Sequence, residues 1–185
     1  MWTLIRIFKH LPTIVIVFLI ISCSSEQSYD SLVKEGLSSG IVADSLFLGY
    51  HFGMSIEEFH SSSMEMNRRG EITGYTKVVY RLESLPYPAI MEFYPIFLDG
   101  VIEEIPVTIS YEGWAPWNEH LFSNELIEDI KEYYIEIYDA EFINIFVPEL
   151  NSEAYVDIQG NREIRIYQDS PSTVMVHFID LSVNQ

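Results

Sequence analysis

The sequence predicts an α+β fold: two helices packed on a mostly antiparallel sheet, arranged as tandem αβββ-like halves. Three observations carry this expectation. Two segments, from Ser55 and from Ser123, place apolar residues at helical spacing. Each is followed by runs that alternate apolar and polar side chains, the period of a half-buried strand. Asp99-Gly100 and Gly160-Asn161 hold the hairpin position in the two halves, so helix, strand, link, strand, tight turn, strand occurs twice.

The first helix is set by Ser55 and Glu58, an S-x-x-E capping box in which each side chain satisfies an N–H near the helix start. Ile56, Phe59 and Ser63 share one side. Gly70, after Asn67-Arg68-Arg69, gives a left-handed stop with cations at the negative end of the dipole. The predicted helix is therefore Ser55 to Arg69. Strands follow at Tyr75 to Glu83, Ala89 to Leu98 and Val101 to Ser110. In the second of these, Ala89, Met91, Phe93 and Phe97 lie on one side and Ile90, Tyr94, Ile96 and Leu98 on the other. Such a strand is either buried on both faces or offers one face to a partner. Pro95 and Pro106 have no N–H for a ladder, so each is expected at an edge or a bulge.

Ser123 or Asn124 caps the second predicted helix, whose stripe is Leu126, Ile127, Ile130, Tyr133, Tyr134 and Ile137. Strands are expected at about 141–147, 153–159, 162–168 and 173–181, the last without a counterpart in the first half. This gives a first half at 46–110, an aromatic link at 111–122 and a second half at 123–185. The serine-rich segment 23–45, with Gly36 and Gly40, reads mainly as a tether in which Leu32, Val33 and Leu37 could make a short helical turn.

Upstream lies a targeting segment, 1–22. Arg6 and Lys9 precede an apolar run from Leu11 to Ile21, about half the roughly 20 residues a spanning helix needs. Leu19-Ile20-Ile21-Ser22-Cys23 resembles the lipobox of bacterial lipoproteins. The resemblance implies cleavage before Cys23 and acylation there with more than one chain, the condition for stable anchoring. Ser24 in place of an aspartate implies the outer membrane of the cell envelope. With the single cysteine so used, no thiol remains for a disulfide, a zinc site or a nucleophile.

The formal charge is −18, and removing 1–22 takes away two cations and no acid, leaving −20. A domain this acidic repels nucleic acid and anionic head groups, so attachment is through lipid; the candidate partners are neutral or basic proteins, sugars or cations, and the alternative is that the charge simply makes a soluble acidic exterior. Phe52-Gly53-Met54-Ser55-Ile56-Glu57-Glu58-Phe59 resembles the opening of the SmpA/OmlA and BamE-like lipoproteins and of the β-lactamase-inhibitor-protein-like repeats. That resemblance implies a small envelope module that binds other proteins. The L-G-x-P that closes the helix in those families is replaced here by Met66-Asn67-Arg68-Arg69-Gly70.

Chemistry has few parts to use. Glu57 and His60, three apart on one helix face, form an E-x-x-H pair that could hold a metal with His51 or His120, or simply make a solvated face. No G-x-S-x-G turn, phosphate loop or dinucleotide fingerprint occurs, and no cofactor is implied. Tyr111, Trp114 and Trp117 are the candidate binding residues, because exposed indoles and phenols bury much area at small entropy cost. The opposing reading has the indoles filling a seam between the halves. The expected function is thus a non-catalytic envelope protein-binding or assembly module, ahead of a glycan-binding accessory using Trp114 and Trp117, and of a metal-dependent hydrolase.

Overall fold

The computed structural model describes residues 28–183, so Cys23, the lipobox and the targeting segment lie outside the described residues. One antiparallel sheet holds eight strands: β1 (Val78–Leu82), β2 (Ala89–Phe93), β3 (Ile96–Leu98), β4 (Val101–Tyr111), β5 (Ile143–Val147), β6 (Ser152–Gln159), β7 (Arg162–Gln168) and β8 (Val174–Asp180). Their spatial order is β1-β2-β4-β8-β7-β6-β5, with β3 paired to β4. Three α-helices are described: α1 (Tyr29–Ser38), α2 (Ile56–Arg69) and α3 (Ser123–Tyr138). The α+β class holds, with one helix more than the sequence suggests.

Period-two alternation explains the core. Ile105, Val107 and Ile109 of β4, Val174, Val176 and Phe178 of β8, and Ile164 and Ile166 of β7 are wholly buried on one face. Phe59 and Met66 of α2 and Leu126, Ile130 and Tyr134 of α3 close over them. The last strand, β8, pairs with β4 from Glu104↔Ile179 to Ile109↔Val174, so the C-terminal strand lies at the centre of the sheet.

The predicted punctuation of α2 is present in full: the Ser55–Glu58 capping box and a left-handed Gly70 at φ 72°. At α3 the cap differs from the expectation. Phe122 is the N-cap, with its ring 6.1 Å from that of Trp114, and Ser123 is buried inside the first turn. The Ser123 hydroxyl accepts from Gln168 Nε2 at 2.8 Å, so it ties the helix start to β7 rather than capping it. The Asp99-Gly100 turn has φ 50° and 85°, the double left-handed geometry of a two-residue hairpin.

Proline positions follow ladder accounting. Pro95 splits the expected long second strand into β2 and β3. Pro106 lies inside β4, neither at a sheet edge nor at a described bulge, and pairs with His177 on one side. On its other side β4 changes partner, from β3 up to Glu104 to β2 from Val107, so the missing N–H has no ladder to break. Ile96 and Leu98 are exposed, which removes the reading that both faces are buried, whereas Tyr94 turns toward α2 and packs on Phe59 and His60.

The segment expected to be mainly tether is the largest departure. Residues 29–38 form a full helix, α1, which lies on the face of the sheet opposite α2 and α3. Tyr29 and Val33 pack with Val147, Ala154 and Val156 in a second, smaller core. Gly36 does not confer looseness. A Cβ on Gly36 would collide with the Ile158 side chain, and one on Gly160 with the Ile41 carbonyl, so both permit close approach. The strap after α1 is stitched down by Ala43 N–H to Asn161 Oδ1 (2.7 Å), Asn161 Nδ2 to Asp44 Oδ1 (3.0 Å) and Arg162 Nη1 to the Ser45 carbonyl (3.2 Å). Among the described residues no helix is long and apolar enough to cross a membrane.

Two predictions follow from this packing. Gly36→Val should strip amide-exchange protection from 29–38 while the central strands keep theirs, at a cost of about 1–3 kcal/mol. Asp157, buried on the core face, accepts the Glu141 N–H with Oδ1 and leaves Oδ2 unpartnered; burial raises its pKa against the pull of that bond and of Arg162. The folded state then holds this proton more tightly than the unfolded chain, so stability should fall as pH rises from about 4 through the raised value. Denaturant melts across pH 4–7 should show this slope, and Asp157→Asn should flatten it.

Candidate functional site

On β7, Arg162, Ile164 and Ile166 point into the main core, so Glu163, Arg165 and Tyr167 point to the α1 side. Register places Arg165 opposite His177 and Glu163 opposite Ile179 on β8. Glu163 is 0% exposed, and a buried carboxylate must be paired and hydrogen-bonded. Arg165 Nε donates to Glu163 Oε1 at 2.6 Å and Nη2 donates to Tyr29 Oη at 2.8 Å. The Tyr29 hydroxyl donates to Glu163 Oε2 at 2.7 Å and closes the ring of contacts. Burial, and then the Glu163 charge, push the Tyr29 phenol far up, which keeps it a donor.

Beside this triad, His177 Nδ1 is hydrogen-bonded to Glu104 of β4, and Nε2 lies 3.1 Å from the Tyr167 hydroxyl. The Tyr167 and His177 rings stack at 24° with centroids 5.6 Å apart. In the neutral imidazole, Nδ1–H donates to Glu104 and Nε2 accepts from the phenol. A Glu–His–Tyr chain has the outline of a nucleophile relay, but the chemistry runs the wrong way. Burial and the Asp169 charge raise the Tyr167 pKa, whereas a nucleophilic phenol needs it lowered. The chain is suited to fixing side chains in place.

A groove of about 1000 Å³ runs between α1 and this face of the sheet. Its apolar lining is Val33, Leu37, Ile179 and Leu181; Asp30, Glu149 and Glu104 bring carboxylates to it, and Lys34, Arg165 and His177 complete the polar part.

The residues singled out from sequence do not assemble into a site. Tyr111 is buried at 3% exposure and its hydroxyl donates to Asp129 on α3, so it is a helix anchor. Burial and that bond raise its pKa well above the ordinary phenol value. Trp114 is half-buried against Phe122 with Nε1 unpartnered, while Trp117 is 81% exposed. The two indoles therefore form no common platform, because one packs against the core and the other faces solvent. Glu57 and His60 are exposed on α2, with His60 Nε2 3.4 Å from the Tyr94 hydroxyl. His51 Nδ1 bonds the Phe52 carbonyl, and His120 packs on Tyr87. Among the described residues no group of three or more His, Cys, Asp or Glu is placed to hold a metal.

Sequence reasoning missed Tyr29, Glu104, Glu163, Arg165, Tyr167 and His177. Glu163 and Arg165 alternate with Ile164 and Ile166, the pattern of a strand with one wet face, and period two does not distinguish wet from covered. No protein-family model matches the chain, nor does any curated protein or solved structure.

Denaturant melts should separate the parts of the triad. Tyr29→Phe removes a hydrogen bond to a charged group and should cost about 1.5–3 kcal/mol. Arg165→Met strands a buried carboxylate and should cost about 3–5 kcal/mol, most of it recovered in Arg165→Met/Glu163→Leu.

Proposed function

We propose that this protein is a lipid-anchored, non-catalytic module of the bacterial cell envelope that binds another protein in the groove beneath α1. The groove carries this reading: an apolar floor between a helix and a rigid sheet, with charges at its margin, suits a polypeptide segment. The pairing of Tyr29, Glu163 and Arg165 with one another, and of His177 with Glu104, argues against chemistry at this wall. The resemblance at Phe52–Phe59 to envelope protein-binding lipoproteins points the same way. There, Phe52, Met54 and Phe59 are buried and Ser55 caps α2.

The lipobox resemblance makes Cys23 the anchor and, with Ser24, favours the outer membrane. Cys23 lies six residues before Tyr29, where α1 begins, so a link of that length reaches at most about 22 Å. A partner gripped under α1 would then lie close to the bilayer. The acidity of the chain disfavours nucleic acid as the ligand. We further read α2 through β4 and α3 through β8 as tandem αβββ-like halves. Each opens with a helix and continues as antiparallel strands with a tight turn, at Asp99-Gly100 and at Gly160-Asn161. A second reading, a glycan-binding accessory, is favoured only by Trp117, which offers a flat ring to solvent.

The test places a photocrosslinking residue at exposed Lys34 in the full chain within native envelopes, beside the same chain carrying Cys23→Ala. One protein adduct, lost when Cys23→Ala sends the chain to the soluble fraction or leaves it unprocessed, is the expected result. No adduct would remove the groove reading, and an adduct indifferent to Cys23→Ala would remove the anchor. A shift in tryptophan emission with envelope glycans, abolished by Trp117→Ala, would instead promote the second reading.

A further inference from the structure

At the β1 edge of the sheet, remote from α1 in strand order, one groove is lined by cations and by no carboxylate. A groove of about 420 Å³ lies between α2 and the segment 72–78, and no Asp or Glu lines it. Its charged and titratable lining is His60, Arg68 and Lys77, with the phenols of Tyr75 and Tyr94. Arg68 shares an exposed contact with Glu65 at 3.3 Å, and Lys77 makes no ion pair among the described residues. In a chain of net charge −18 such a patch is a local inversion.

The loop that carries it is held rather than loose. Thr73 and Val79 exchange two backbone hydrogen bonds of 2.8 and 2.9 Å, which closes a small hairpin. Gly74 takes φ 103° and a Cβ there would collide with the Lys77 carbonyl, so the turn requires glycine. The tight loop presents Tyr75 at full exposure, 101%, with Met64 and Tyr94 also exposed alongside. A fully exposed tyrosine on a fixed loop brings a large contact area at little further ordering cost, the character of an interface anchor.

We propose that this groove docks an acidic segment of a partner polypeptide: Tyr75 and Tyr94 supply the anchoring rings, and Lys77 and Arg68 pair with its carboxylates. The surface is separate from the groove beneath α1, so either can fail alone. Charge complementarity selects the partner. A duplex or an anionic bilayer extends its charge far beyond Arg68 and Lys77 and meets the acids elsewhere on the chain. A short acidic segment engages the local cations only, and at physiological salt charges beyond about 8 Å are screened from it.

A photocrosslinking residue at Met64 of the full chain, in cells that make the protein natively, tests this. The expected result is an adduct with a polypeptide whose crosslinked segment is net negative. Its yield should fall about tenfold or more in Lys77→Glu and in Tyr75→Ala, with melting temperatures unchanged because both side chains are exposed. An adduct to lipid or nucleic acid only, a neutral or basic segment, a yield indifferent to both variants, or no adduct would each overturn it. The adduct at Lys34 reports separately on the groove beneath α1.

Discussion

A carboxylate with no exposed surface, Glu163, lies on the α1 side of β7, and the docking of α1 is arranged around that constraint. Its charge is tolerable there only while Arg165 and the Tyr29 hydroxyl both bond it. Tyr29 is the first residue of α1, so the electrostatic requirement of a central strand becomes a requirement that the N-terminal helix be docked. Packing serves the same end: Val33 packs against the cluster of Val147, Ala154 and Val156, and Gly36 and Gly160 let backbone come close where a side chain would hold it off. The pair supplies orientation rather than much net stability, because desolvation of two ions offsets most of their attraction.

The docked helix creates the groove, and the sheet topology gives the groove its chemistry. Glu104 comes from β4 and His177 from β8, the two strands that join the N-terminal and C-terminal runs. A polar contact across that join exists only when the whole sheet is assembled. Pro106 stands at the same place, where β4 exchanges one neighbour for another and a missing N–H does no harm. The open face of the sheet is therefore a product of complete folding, and neither run of strands could present it alone.

Legibility of these features in the sequence follows their range. Local signals were decisive where they were local: the Ser55 box and Gly70 bound α2, and Asp99-Gly100 turns β3 into β4. The stripe on α3 was readable from period alone, yet its cap was not, since Ser123 is claimed by Gln168 forty-five residues away. The docked α1 was hidden by composition, because serine and glycine read as looseness and the reason for Gly36 is Ile158, far along the chain. The groove was illegible for the same reason: Tyr29 meets Glu163 across a separation of 134 residues, and Glu163 alternates with isoleucine as a solvated residue would. At 111–117 the aromatics divide by contacts that sequence does not show: Tyr111 is buried, Trp114 is half-buried against the core, and Trp117 is exposed.

Binding and catalysis ask opposite things of polar groups, and that contrast bears on the α1 face. A reactive centre needs a group held in a protonation state it would readily leave, with a free edge toward substrate. Here both phenols on this face are pushed toward permanent protonation, and the imidazole has a partner at each nitrogen. Such a network resists change, which lowers the ordering that a ligand would have to impose on the groove wall. On the proposed reading, a wall fixed in this way would discriminate by shape and by the sign of charge at its margin, the two properties that a protein-recognition surface requires.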